Sequence, residues 1–311
     1  MNEEHVLCMV ESMVGANQGE MYENKVYSVS DGSKGKIDKA ALKNRLPQGD
    51  WNSPYTEIMV RVEDDVKISV QNSPIYIYGE YTKMDRNMTQ SPLVVEGRLK
   101  CNRSVSDFKS QVKEFFLADD VIFTPAGRED FDVRMVEGRP FLLSVKNPRR
   151  NLSFERLNLA LYKEVEIRNL SVVRKECKSV IFGGENQSNK TYSIFLCCKK
   201  ELALQNYYIV EQRTPLRVLH RRANLARIKK AWILESEKRE VEGWIYYRIV
   251  LEASAGMYIK EFVNGDFGRT VPSLGSKENY CDLLELDVLR VEKKSIEDFL
   301  VRNIELDVTR C

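Results

Sequence analysis

Two histidines, His5 and His220, are all that 311 residues provide. The seven cysteines are scattered, Cys197 and Cys198 are adjacent, and no pair has C-x-x-C spacing. A zinc centre or a Cys–His nucleophilic site has little to build on, so no metal and no cofactor are expected. An odd, unpatterned set of thiols fits a reducing compartment, cytoplasmic or nuclear. No apolar run reaches membrane-spanning length and the N-terminus lacks a signal-peptide pattern, so no membrane association is expected. A charge excess is missing too. Lys and Arg total 48 against 46 Asp and Glu, and a net +2 does not by itself announce a nucleic-acid binder.

Hydrophobic residues make up 43% of the chain, enough for a sizeable core, and the length suits one large domain plus a smaller one. The distribution of charge says more than its sum. Between Gln212 and Trp232 stand Arg213, Arg217, Arg221, Arg222, Arg227, Lys229 and Lys230, with no acid among them. A solvated helix face ordinarily intersperses acids, so the stretch reads as a phosphate-binding segment for RNA.

Residues 1–50 read poorly. His5 to Met13 suggests a short helix, and the polar Gly15 to Lys36 a loop or partial disorder. Alternation predicts strands over 56–62, 66–70 and 75–78. Ser104 to Leu117 predicts a helix with Ser104 as N-cap and Asp107 at N3. Val121 to Phe123 reads as a short buried strand, followed by a turn at Pro125-Ala126-Gly127. A strand over 140–145 and a second helix over Phe154 to Glu164 come next. Further strands are predicted over 192–198, 207–211, 244–253 and 282–291. Strands dominate without strict βαβ alternation. The fold class is therefore α+β, with a large mixed or antiparallel sheet and flanking helices.

The segment from Phe123 to Met135, FTPAGREDFDVRM, concentrates the chemistry. Asp130 and Asp132 stand at i, i+2, so in an extended segment they face the same side. A carboxylate just past a buried strand, with Arg128 or another cation beside it, is placed like a catalytic group in a cleft.

This segment resembles the catalytic motif of pseudouridine synthases. The TruA type carries A-G-R-T-D-x-G-V, and Ala126-Gly127-Arg128-Glu129-Asp130 matches it with Glu in place of Thr. The fuller GREDFDVRM, with Gly138-Arg139-Pro140-Phe141 and Asn147-Pro148-Arg149, resembles the archaeal and eukaryotic Pus-ten family in particular. That family modifies positions 54 and 55 in the T arm of tRNA. Lys190-Thr191-Tyr192 is similar to its K-x-Y element, and Arg217-Val218-Leu219-His220-Arg221-Arg222 to its R-V-L-H-R-R segment. Ala255 to Val263 and Gly265 to Thr270 are similar to A-G-T-Y-I-K-E-F-V-x-G-D-x-G-R-T. Upstream, Gly79 to Lys83, Arg86-Asn87 and Gln90-Ser91-Pro92 follow the family's order. The resemblance spans roughly 75 to 292, and several motifs in order outweigh any one alone.

The resemblance implies a tRNA pseudouridine synthase fold and an isomerisation that needs neither metal nor cofactor. Asp130 is implied as the nucleophile, Lys260 as its cationic partner, and Tyr192 as the ring that stacks on uracil near carbon 5. Arg128 and Tyr258 are implied at the substrate, with Leu284 as the apolar residue under the site. Leu286 fits that place almost as well, and both leucines read equally as core. Arg213, Arg217, His220, Arg221 and Arg222 would grip tRNA. Arg149, Arg150 and the Lys83/Arg86 region would add lesser contacts. Residues 1–90 are expected to form a reduced THUMP-like accessory region and 91–311 the catalytic domain, the whole a monomer. Family members carry paired C-x-x-C ligands further upstream that this chain lacks. The alternatives are a catalytically silent RNA-binding or RNA-processing adaptor on this scaffold, or a synthase acting on another RNA stem-loop.

Overall fold

The computed structural model describes residues 3–16, 22–31, 42, 44–46, 49, 54–62, 66–95, 97–150, 156–183 and 189–311. Helix α1 (Glu3–Ala16) accompanies a three-stranded sheet of β1 (Lys25–Asp31), β2 (Thr56–Val62) and β3 (Val66–Asn72). Its separate core gathers Val6, Val10, Leu42, Leu46, Ile58 and Val60. The polar stretch expected to be a loop thus contains a strand. Parallel pairing of β1 on β2, with Val26 buried, overrides the low strand preference of Ser and Asp. Residues 17–21 and 32–36 of that expected loop lie outside the described residues.

Strand β4 (Ile75–Lys83) leaves this small sheet and enters the large one, pairing with β8 and β10. The change of sheet therefore falls between Asn72 and Ile75, ahead of the expected division at residue 90. A short hairpin follows, β5 (Val94–Val95) with β6 (Arg98–Leu99). A 3-10 turn over Val105–Phe108 then runs into helix α2 (Lys109–Phe115). Its start is the capping box that Ser104 and Asp107 predict: the Ser104 N–H donates to Asp107 Oδ2 at 2.9 Å, and Val105, Phe108 and Val112 are buried.

The remaining strands are β7 (Asp120–Pro125), β8 (Arg134–Lys146), β9 (Arg156–Leu161), β10 (Val165–Val173), β11 (Lys190–Cys198), β12 (Tyr207–Arg213), β13 (Ala226–Val241), β14 (Trp244–Ala253), β15 (Thr270–Val271), β16 (Asp282–Val291), β17 (Leu300–Asn303) and β18 (Glu305–Arg310). Helices α3 (Cys177–Phe182) and α4 (Ile259–Asn264) complete the described elements. The large sheet has eleven strands in the order β15-β12-β13-β14-β11-β16-β8-β4-β10-β17, with β7 paired on β8. The α+β class with a large mixed sheet stands.

The helix expected over 154–164 is a strand from 156 to 161. Leu157, Leu159 and Leu161 are buried at period two while the residues between them are exposed, and β18 supplies parallel backbone partners. Ile122 is exposed within β7, so that strand is half-buried only. In β14 the alternation is as predicted, with Tyr247, Ile249, Leu251 and Ala253 buried.

Every pair in the large sheet is antiparallel except β16 with β8, which is parallel and spans only Asp287↔Arg134 and Val288↔Met135. Two antiparallel half-sheets thus meet at a two-residue seam. The segment 126–133 enters β8 at that seam. Arg86 crosses it: its Nη1 donates to Leu286 O at 2.8 Å, and its Nη2 lies 2.7 Å from Asp287 and 2.9 Å from Glu285.

Candidate active site

Segment 126–133 is short and held from behind. Gly127 has φ +83°, and a Cβ there would meet Arg139 Nη1 at 2.9 Å, so the turn requires glycine. Four of its carbonyls accept side-chain hydrogen bonds. Arg139 Nη1 donates to Ala126 O at 2.8 Å, Gln90 Nε2 to Gly127 O at 3.0 Å, Lys83 Nζ to Phe131 O at 2.9 Å, and Arg86 Nη1 to Asp132 O at 3.2 Å. Those donors come from the upstream G-x-Y-x-K, R-N and Q-S-P motifs and from the GRPF run. Lys83 is completely buried and Arg86 is tied across the seam, so the phosphate role expected of them is corrected. Burial lowers the Lys83 pKa, opposed by the carboxylates of Glu129, Asp85 and Asp132.

Glu129, the residue that departs from A-G-R-T-D, is the anchor of this clamp. Its side chain is 1% exposed and lies 2.8 Å from Arg139 Nε. Tyr81 donates its hydroxyl to Glu129 at 2.8 Å, and Gln90 Nε2 donates at 3.2 Å. Burial and the Glu129 charge hold the Tyr81 phenol well above its ordinary pKa.

The next acids face outward. Asp130 and Asp132 keep 40% and 44% of their side chains exposed and share one cation. Lys260 Nζ donates to Asp132 at 2.7 and 3.0 Å and stands 3.3 Å from Asp130 Oδ2. Arg217 Nη1 reaches the same Asp130 oxygen at 3.3 Å. Its Nε donates to the buried Glu261 at 2.6 Å, which fixes the guanidinium from the other side. Lys260 and Glu261 are adjacent on α4, so one short helix supplies both. Burial raises the Asp132 pKa, but the hydrogen bond and charge of Lys260 outweigh it, and the net shift is downward.

The cations that meet Asp130 are thus Lys260 and Arg217, while Arg128 is exposed and touches neither acid. Arg217 was expected on tRNA phosphates with its basic neighbours; in the structure it pairs with Asp130 and Glu261. No local pattern marks that difference, because its partners lie 44 and 87 residues away. Tyr258 caps α4 and lies 5.9 Å from the Arg217 guanidinium. Tyr192 is 8% exposed in β11 opposite Leu251 and Val288. Burial pushes its phenol up to about 12, with nearby Arg139 opposing. Leu284 is exposed and therefore is not core. A register shift on β16 skips it between Leu283 and Glu285, and Leu286 is the buried leucine.

The basic segment is a bend and a strand, not a helix face. Arg213 ends β12; His220, Arg221 and Arg222 sit exposed in the turn; Arg227, Lys229 and Lys230 begin β13. Lys229 is turned in, donating to Ala255 O at 2.6 Å. Arg149 pairs with Asp119 at 2.9 Å, and Arg150 stacks on Phe115 at 4.4 Å. All seven cysteines are unbridged. Among the described residues no group of three or more His, Cys, Asp or Glu side chains is arranged to hold a metal, and no helix is long and apolar enough to cross a membrane.

Comparison with known proteins gives one family. The model described as Pus10, C-terminal, matches residues 76–292. A mouse protein named tRNA pseudouridine synthase Pus10 is 34% identical over 78% of this chain and 48% of its own. A Methanosphaera stadtmanae protein of the same name is 32% identical over 77% of this chain and 63% of its own. The chain spans about half the length of the vertebrate relatives it matches. Among solved structures, one titled as a Cbf5-Nop10-Gar1 complex overlaps 68% of this chain and 48% of its own, at 15% identity and a TM-score of 0.33.

Proposed function

Given that the chain belongs to the Pus10 C-terminal family, we propose that it converts uridine to pseudouridine in the T arm of tRNA, at position 54, 55 or both, with Asp130 as the nucleophile. One observation carries the reading. Asp130 is presented, half-exposed, on a segment whose carbonyls are clamped from behind, and two cations stand at one of its oxygens.

The reaction breaks the bond from ribose C1′ to uracil N1, turns the base, and forms a bond from C1′ to C5. The C5 proton leaves and N1 gains one, so atoms balance without redox. Positive charge at Asp130 favours the anion that attack requires. A rigid segment keeps the carboxylate in reach while the base turns. The Tyr192 phenol, with its pKa raised to about 12, stays protonated at neutral pH and serves as a donor near the base. The uridine must leave its stack to reach Asp130, at a cost of a few kcal/mol that contacts elsewhere offset. Exposed Arg213, His220, Arg221 and Arg222 are the groups proposed for tRNA phosphates.

Incubation with unmodified tRNA transcripts, followed by mapping of pseudouridine at each position, tests the proposal. New pseudouridine at 54 or 55 is the expected result. Modification confined to another stem-loop would move the substrate, and binding without conversion would leave an adaptor.

A further inference from the structure

One residue near the acids has no role in the chemistry above. Phe267 is 92% exposed, the most exposed large apolar side chain among the described residues. It sits at φ +56°, ψ 35°, a left-handed conformation that aromatic residues rarely adopt. Its neighbours Gly265, Asp266 and Gly268 also have positive φ. Four successive left-handed residues form a tight loop that pushes the ring into solvent.

That loop is firmly tied. Gly268 N–H donates to Gly265 O at 2.9 Å and Asp266 N–H to Asn264 Oδ1 at 2.9 Å. Leu216 N–H donates to Asp266 Oδ2 at 3.1 Å, and Arg213 N–H to Arg269 O at 2.9 Å. Arg269 Nη2 donates to Thr214 O at 2.8 Å and Asn224 Oδ1 at 2.7 Å. None of these ties uses the ring. A ring so exposed adds almost nothing to the fold, and the surroundings hold it out in an unfavourable backbone conformation. Such conformations persist only where the surrounding structure over-determines them, and they cluster at active sites and ligand clamps.

The position names the partner. The turn containing Leu216 and Arg217 is held by Asp266 on one side and meets Asp130 on the other. Phe267 is thus linked to the acid through Asp266, Leu216 and Arg217. Exposed Arg213, Arg221 and Arg222 belong to the same bend. An aromatic face among exposed cations suits a nucleic acid better than an apolar protein surface, since each nucleotide offers a base with a π-face and a backbone phosphate. We propose that Phe267 stacks on a base of the RNA substrate next to the extruded uridine, holding open the gap that extrusion leaves. This rests on the RNA-modifying reading above.

The test compares single-turnover pseudouridine formation in tRNA transcripts at subsaturating enzyme. Phe267→Ala should slow it about 5- to 100-fold, whereas Phe267→Tyr and Phe267→Trp, which keep a π-face, should stay within about threefold. Phe267→Leu, apolar but without that face, should remain slow. Melting temperatures should agree within about 1 °C across the set, because the ring packs on nothing. A wild-type rate for Phe267→Ala, or full rescue by Leu, overturns the proposal, the latter pointing to an apolar contact. Phe267→Trp also reads stacking without turnover. Its emission, relative to wild type, should be quenched when tRNA binds, and unquenched emission at saturation overturns the proposal. If wild type binds tRNA yet forms no pseudouridine, the reading of the reaction falls, and the quench arm still decides the stacking.

Discussion

The two sides of segment 126–133 use the same residue types for opposite purposes. Behind it, Glu129 and Arg139 face each other at 1% exposure, and Lys83 is sealed entirely. In front, Asp130, Asp132, Lys260 and Arg217 are between one quarter and one half exposed. The rear pair has lost its water and is bound by geometry, so it serves as structure. The front cluster keeps water on one side, and a substrate can displace that water and exchange partners with it. Adjacency in sequence therefore says little. Glu129 and Asp130 are neighbours on one irregular segment that turns at Asp130, and they point to opposite sides of it.

The sharpest way to separate the two sides is to neutralise each acid in turn. Asp130→Asn is nearly isosteric and removes only the charge. Pseudouridine formation should fall by at least about a thousandfold, while tRNA affinity stays within severalfold. Full activity in that variant, with Asp132→Asn inactive, would transfer the role to Asp132.

On the rear side the large effect should appear in stability. Glu129→Ala leaves the Arg139 guanidinium buried without its carboxylate, and strips Tyr81 and Gln90 of a shared acceptor. Breaking such a pair costs roughly 3–5 kcal/mol. Urea denaturation followed by fluorescence should show the midpoint shifted down accordingly, with Asp130→Asn unshifted. Equal midpoints for both variants would erase the distinction between structural rear and functional front.

What the sequence displays of this arrangement depends on the range of the interactions. The capping box at Ser104 and Asp107 spans three residues and is written locally. The alternation of β14 is equally local. Asp130 and Lys260 are legible through motif order. Arg217 is not, because its meaning comes from Glu261 and Asp130, which the fold alone brings near it. Leu284 fails for a related reason, since a register shift on β16 cannot be counted from the sequence. The strand over 156–161 shows its alternation, but its partner β18 enters from the far end of the chain.

Arg217 and its basic neighbours sharpen the comparison by a different readout. Arg221→Ala with Arg222→Ala should weaken binding to all tRNAs alike. It should lower the slope of log affinity against log salt by roughly one to two units, about 0.9 per lost duplex contact and about 0.7 per single-strand contact. Turnover at saturating tRNA should hold. Arg217→Lys should do the reverse, lowering turnover while leaving the slope in place, because Arg217 faces carboxylates and its fork cannot be replaced by a point charge. A slope that falls with Arg217→Lys and not with the double variant would exchange the assignments.

The smallest effect tests how much the front cluster contributes to folding at all. Asp132 has its pKa lowered in the folded state: burial works against the charge, and Lys260 more than compensates. A carboxylate with a depressed folded pKa adds stability above its unfolded value, near 3.9, and that contribution disappears as pH falls through the folded value. Because the side chain is nearly half exposed, solvent screens the pair, and the contribution should stay below about 1 kcal/mol. Asp132→Asn should therefore melt slightly below wild type at pH 7, by no more than about 2 °C. The gap should shrink as pH falls below about 4, and it should shrink at pH 7 as salt is raised. The rear pair behaves differently under the same salt, since Glu129 and Arg139 are closed to counterions. A gap at Asp132 that ignores both acid and salt would mean that the side chain acts through packing, and the front cluster would then be as structural as the clamp behind it.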